Sequence, residues 1–283
     1  MSEISIWGFK VSRSLLSSDE VEYLLQLPTD LPSVKWVWEE MDRVWGAMRL
    51  NNKLSLQDQS IGAYYQHPVW IMNGIFTSLD TESFLHRDAI ADYLRQIGVN
   101  YVADYAGGFG ELAIAITRKN PSVDICIVEP YPSKVGLQRL NDFKQISFVS
   151  DLKDNEYDAI VAQDILEHVE DPIKLAYEIS KAVKVGGKIV FANCFYPVIK
   201  CHLPATFHLR CTFKWIMQAL GLRYIGRIKG VPQSQVFERV VNQPFDLDKA
   251  HRIEAISKWI GPYLNFIRSI LSWGKQGLLR LRS

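Results

Sequence analysis

The sequence predicts a doubly wound α/β fold, a mostly parallel sheet with helices on both faces, and three observations carry that prediction. Between about residues 99 and 193, short apolar runs alternate with helix-length segments of 3.6-residue periodicity, the pattern of β-α crossovers. The first run, residues 99–104, leads into Ala106-Gly107-Gly108-Phe109-Gly110, and a helix follows at once. The second run ends on Glu129, nineteen residues beyond Gly110. A glycine turn between strand and helix, followed at that remove by an acidic residue, suits a nucleoside-containing ligand. The bare backbone can approach the ligand, and the carboxylate can take both ribose hydroxyls.

Taken in order, Ser18 can cap a helix running through Leu27, and Pro32-Ser33 starts a second that ends near Leu50. Trp38, Met41, Trp45 and Met48 fall on one face of that second helix and read as core. Tyr64, Tyr65 and His67 come just before Pro68-Val69-Trp70 and read either as a lid over the ligand or as a packed connector. Asp80 or Thr81 caps a helix to Ile97, with Gly98 as its stop. Strands are expected near 99–104, 124–129, 146–149, 158–163 and 188–193. Between them lie a helix from Glu111 to Lys119, stopped by Asn120-Pro121, and one opened by Pro172 with Leu175, Ile179 and Val183 toward the sheet. Thr212 can cap a further helix that places Phe213, Ile216, Met217 and Leu220 inward and ends on Gly221. Residues 222–228 and 235–241 then make two more strands joined around Gly230-Val231-Pro232, which brings the sheet to seven strands. Three units result: a helical, aromatic-rich region over 1–80, the α/β domain over 81–244, and a tail over 245–283.

The tail carries a helical stripe of Ile253, Ile256, Ile260, Tyr263, Leu264, Ile267, Ile270, Leu271, Leu278 and Leu281, flanked by Trp259 and Trp273. After Glu254 every charge is positive (Lys258, Arg268, Lys275, Arg280, Arg282), and Gly261-Pro262 should divide the stripe into two helices. Basic amphipathic helices of this kind lie in an anionic membrane interface; the other reading is docking on the domain or on a second copy in a homodimer.

Composition narrows the function. The 283 residues are 48% hydrophobic and 22% charged, an ordinary globular balance, and the formal net charge of +1 offers no field for a polyanion. Nucleic acid is therefore not an expected partner. Cys126, Cys194, Cys201 and Cys211 show no C-x-x-C spacing, which fits a reduced, cytoplasmic compartment, at the inner membrane face if the tail binds lipid. Charges within the first ten residues and the lack of any long apolar run lead to the expectation of no signal peptide and no membrane span.

Asp104-x-Ala106-x-Gly108-x-Gly110 reads D-x-A-x-G-x-G, one alanine away from the D-x-G-x-G-x-G of class I S-adenosylmethionine-dependent methyltransferases. The middle of the chain, about 85–241, resembles that family. The resemblance continues in order through Glu129, Ser150-Asp151, residues 157–169 and Val185-Gly186-Gly187-Lys188. It implies S-adenosylmethionine as cofactor and a sheet whose last strand is antiparallel. It also implies that Asp104 and the turn of Ala106, Gly107, Gly108 and Gly110 hold the methionine end. Glu129 would then hold the ribose, Asp151 would face the adenine amine, and Gln163 would lie beside the methionine part. Alanine at 106 favours a negative φ there.

Methyl transfer needs the acceptor close to the methyl group and often a base to remove its proton. Asp164, Glu167 and His168 follow the fourth strand at helical spacing, and this D-x-x-E-H resembles the E-x-x-E-H that binds a divalent metal in some O-methyltransferases. His202 or His208 could complete such a set. Because relatives with the same pattern bind no metal, the expected arrangement is metal-free, with His168 or His208 as the catalytic histidine. The long N-terminal region favours an enclosed site and a small-molecule, sugar or lipid-linked acceptor methylated on O or N. The alternative is a non-catalytic module that uses the same fold for membrane or partner assembly.

Overall fold

The computed structural model describes residues 3–280 apart from 56, 130 and 242, with side chains described as far as Leu271. Seven strands form one sheet: β3 (Tyr101–Tyr105), β4 (Asp124–Val128), β5 (Ile146–Val149), β6 (Tyr157–Gln163), β7 (Val183–Ala192), β8 (Leu222–Gly226) and β9 (Ser234–Arg239). Their order is β5-β4-β3-β6-β7-β9-β8. The first five are parallel, and β9 inserts antiparallel between β7 and β8. The central strands are apolar throughout because both faces are covered. Ala103, Ile160 and Ala162 meet α8 (Pro172–Ala182) and α9 (Leu209–Leu220) on one side. Val102, Ala159 and Val161 meet α5 (Thr81–Gln96) and α6 (Glu111–Lys119) on the other. Helix α7 (Lys134–Leu140) links β4 to β5.

The N-terminal unit is not purely helical. It opens on a hairpin, β1 (Glu3–Ile6) and β2 (Phe9–Ser12), which turns through Trp7 and Gly8, both at positive φ. Helices α1 (Ser18–Leu25), α2 (Val34–Ala47), α3 (Gln59–Tyr65) and α4 (Pro68–Leu79) follow. Ser17, not Ser18, caps α1, through a reciprocal box with Glu20. The buried face of α2 is Val37, Met41, Val44 and Trp45, with Trp38 at its exposed edge. Helix α4 is capped by His67, whose Nδ1 accepts from Val69 N. Its Gly74 lets the Phe109 ring lie against it, so the unit braces the glycine turn.

The last element, α10 (Leu247–Arg280), is one helix, where the sequence predicts a break at Gly261-Pro262. An internal proline costs about 3 kcal/mol, but contacts on both sides of it hold this helix to α9 and to the residues leading into α9. Before it, Ser257 Oγ shares a hydrogen bond with Thr212 Oγ1 (2.5 Å); after it, Asn265 Nδ2 donates to Phe207 O (2.9 Å). Gly261 is there for contact: a Cβ on it would stand 2.7 Å from His208 Cα. Thr212 correspondingly lies inside α9 rather than capping it. Among the described residues, no helix is long and apolar enough to cross a membrane.

The buried positions of α10 are small or polar, Ala250, Glu254, Ser257 and Gly261, with Leu247 and Ile253 packed partly against the core beside them. Burial would raise the Glu254 carboxyl, but His208, His251 and Lys258 outweigh it and hold it down at about 2. A carboxyl depressed in the folded state adds stability above its ordinary value of 4.5, and loses it as pH falls through the folded value. The tail should therefore undock between about pH 4.5 and pH 2. Hydrogen exchange of the 250–265 amides should show this, and Glu254→Gln should weaken docking at pH 7 and flatten the acid dependence. An unchanged acid profile in that variant would reject Glu254 as the latch.

Candidate active site

The carboxyl ends of β3, β4, β6 and β7 converge beneath the N-terminal unit. Asp104, near the end of β3, is buried, and its Oδ2 has no protein partner. Gly107 sits directly over it: a Cβ there would lie 2.6 Å from that oxygen, so only glycine lets the carboxylate underlie the turn. Burial pushes the Asp104 carboxyl up to about 7, and the nearby Glu129 charge adds to the rise. A cationic ligand group would reverse that. Around Gly108 there is open space. Gly110 is left-handed (φ 74°), and a Cβ on it would strike Leu140.

Ala106, expected at negative φ, is instead left-handed (φ 59°), held by its N–H donating to Val128 O at 2.7 Å. A non-glycine residue there costs about 1–2 kcal/mol. Ala106→Gly should therefore raise Tm by about 2–4 °C. A thermal scan showing no gain or a loss would mean the turn is not strained.

Glu129 follows β4. Its Oε2 accepts from Gly108 N (2.9 Å) and its Oε1 from Tyr131 N (3.1 Å), which leaves a lone pair on each oxygen for further donors. Asp151 is exposed just past β5, and Gln163 ends β6 with its Nε2 donating to Asp164 Oδ2 (3.2 Å). After burial, the charges of Asp151 and Glu129 both raise the Tyr105 hydroxyl, so these two acids share one neighbourhood.

Beyond β6 the chain turns at Asp164 (φ 50°) into a short 3₁₀ turn, Leu166–His168, so the predicted helical spacing of D-x-x-E-H is not realised. Asn193, at the end of β7, fixes this turn by accepting from Ile165 N and Leu166 N (3.1 and 2.9 Å). Glu167 Oε1 accepts from Cys194 N (2.7 Å), while its Oε2 is buried with no protein partner. Burial, then the adjacent Asp164 carboxylate, pushes Glu167 up to about 8. Burial followed by His202 lowers His168 to about 3, so His168 is neutral at physiological pH. With Nδ1 beside Cys201 O (3.2 Å), that ring nitrogen carries the proton and Nε2 keeps its lone pair. His202 meets His168 edge-on at 4.8 Å. Ligand atoms of Glu167, His168 and His202 lie within 4.8 Å of one another, as do those of Asp164, Glu167 and Cys194.

His208 stands apart from this cluster. It is buried at the start of α9 with Nε2 3.5 Å from Glu254 Oε1, so it packs against the tail rather than beside His168. Tyr64 is core, packed on Trp45 and Trp70. Tyr65, its neighbour, stacks on Tyr131 (6.1 Å, 7°) and meets the His168 ring edge-on (6.4 Å), forming a wall between the glycine turn and the histidines. Sequence reasoning missed Tyr131 and Asn193, which only the tertiary fold brings to the site.

The family model for the methyltransferase domain matches residues 83–226, half of the chain, and takes in the glycine turn, Glu129, Asp151 and the Glu167, His168 and His202 cluster, but not Tyr65. This chain belongs to the class I S-adenosylmethionine-dependent methyltransferases. It is 26% identical over 167 residues to the ubiquinone biosynthesis O-methyltransferase of Erwinia tasmaniensis, across 56% of this methyltransferase and 63% of that one. The ubiquinone biosynthesis O-methyltransferase of Serratia proteamaculans is 24% identical over 186 residues, 63% of this chain and 70% of that one. The structure of an O-methyltransferase family protein from Burkholderia thailandensis superposes with a TM-score of 0.52 at 15% identity, over 74% of this chain and 71% of that one, and shares the fold.

Proposed function

We propose that this protein transfers the methyl group of S-adenosylmethionine to an oxygen of a small acceptor of the lipid-linked kind. One observation carries the cofactor reading: a buried, unpartnered Asp104 carboxylate under a glycine turn whose open side is flanked by Glu129. A module used only for assembly has no need of that pair. When bound, the cofactor supplies an electrophilic methyl group on a sulfonium. Asp104 would take its ammonium, Glu129 its ribose hydroxyls and Asp151 its adenine amine, with Gln163 beside the methionine part. Methylation at oxygen rather than nitrogen is supported by the relatives named above, which are O-methyltransferases of ubiquinone biosynthesis. His168 Nε2 would accept the acceptor's proton, and the Tyr65 wall would exclude water from it.

A second reading is favoured by the unpartnered Glu167 Oε2 beside His168 and His202. These three could hold a divalent cation, with the His168 Nδ1–H anchored on a backbone carbonyl as metal-binding imidazoles usually are. The cation would polarise the acceptor oxygen. Calorimetry with S-adenosylmethionine tests the main proposal, and no heat of binding at millimolar ligand would reject it. Dialysis against a chelator separates the two chemistries: turnover lost and restored by magnesium supports the metal, whereas unchanged turnover leaves the imidazole alone.

A further inference from the structure

The outward face of α10 presents Ile256, Trp259, Ile260, Tyr263, Phe266, Ile267, Ile270 and Leu271 to solvent, with Trp259 81%, Tyr263 74% and Phe266 66% exposed. Scattered exposed apolar residues are ordinary, but a continuous row on one helix marks a surface that meets something. Lys258 is engaged by Glu254 at 3.3 Å, so Arg268 is the charge among the described residues from 259 to 271; the sequence beyond 271 adds Lys275, Arg280 and Arg282 and no acid.

The topology fixes where this row points. Helix α9 starts at the carboxyl edge of the sheet and ends at Gly221, beside the start of β8. Helix α10 begins there, with Asp246 N donating to Leu220 O, and runs antiparallel to α9 until Gly261 and Asn265 reach His208 and Phe207. Its last fifteen residues, 266–280, therefore continue past the rim that carries the active site, by about 22 Å at 1.5 Å per residue.

We propose that this apolar, basic face rests on an anionic lipid bilayer and turns the carboxyl-end rim, with the mouth of the site, toward it. Charge complementarity selects the occupant: a row with cations and no acids suits anionic headgroups, whereas a second copy would set cations against cations. The link to an acceptor dissolved in the membrane rests on the function proposed above; the docking itself does not.

Sedimentation of the full chain with vesicles of equal parts phosphatidylglycerol and phosphatidylcholine tests it, against phosphatidylcholine alone. The protein should bind the anionic vesicles, release with added salt, and largely lose binding when Trp259→Ser, Phe266→Ser and Ile270→Ser are combined. These positions are exposed, so the fold is not at stake. Arg268→Glu should weaken binding more than fivefold, since each cation near the surface contributes about that factor. Absence of vesicle binding, or equal binding to both vesicle types, overturns the proposal. So does a concentration-dependent dimer in gel filtration that the triple variant abolishes. Calorimetry with S-adenosylmethionine on the same preparation keeps the outcomes apart, because cofactor binding can fail while vesicle binding stands, and the reverse.

Discussion

Glu129→Ala should weaken S-adenosylmethionine binding by about 10²–10⁴-fold. The proposed site gives this carboxylate two charge-assisted hydrogen bonds to ribose hydroxyls, each contributing about 1.5–3 kcal/mol, and the sum converts to that range. The carboxylate also accepts from Gly108 N and Tyr131 N, so its removal frees the turn that the cofactor must meet. Glu129→Gln separates the two roles: it keeps an acceptor for the backbone but loses the charge, and should fall between wild type and alanine. Calorimetric affinity unchanged in the alanine variant would remove Glu129 from the cofactor site.

His168→Asn should lower kcat by about 10²–10⁴-fold, the usual contribution of a positioned base, and leave cofactor affinity nearly intact. Asparagine keeps a donor for Cys201 O, so the loss would report on the missing Nε2 rather than on a collapsed pocket. The pH profile identifies the base. A base must be deprotonated to work, and His168, held near 3, is already neutral above about pH 4; turnover should then be flat through neutrality. A rise in turnover above the usual carboxylate range would instead point to the Glu167–Asp164 pair, since burial and then the Asp164 charge push Glu167 up. His208→Ala, by contrast, should loosen α10 with kcat preserved. Loss of turnover there, with the tail still docked, would return that residue to the chemistry.

Periodicity carries far within the α/β domain because β3, β4 and β5 are short, largely apolar and followed within three residues by a glycine or an acid. The expected strands at 124–129 and 146–149 meet β4 and β5 within a residue, and the antiparallel β9 follows the implied topology. The N-terminal unit was harder to read. Helix α4 is buried on nearly all sides, so it carries no amphipathic stripe, and a histidine is an unusual cap. The β1–β2 turn puts a tryptophan in the left-handed region, where local rules place asparagine or glycine. At the tail, Gly261-Pro262 has the local signature of a break, and only the packing on His208 shows why it is a point of close approach. The acids proposed to hold the cofactor, Asp104, Glu129 and Asp151, were legible because each lies near or just past the end of a strand. The contact of His208 with Glu254, forty-six positions on, could not be read from the residues beside either one.

The clasp between the first unit and the far end of the domain sets an order of assembly on the ribosome. Tyr64 OH reaches Cys201 Sγ across 137 positions of chain, and Asp42 accepts from Lys200 N. At synthesis rates of about 5–20 residues per second, some 7–27 s pass between the two halves of the clasp. Throughout that interval the tryptophan-rich opening segment has been made while its partners have not. Local helices can form early, but burial of Trp45 and Tyr64 against Cys201 must wait for the seventh strand to emerge. The unit that packs on Phe109 and Cys201 is thus translated before its partners and settles only after them. During that window it presents an apolar surface that chaperones, or other nascent chains, can bind.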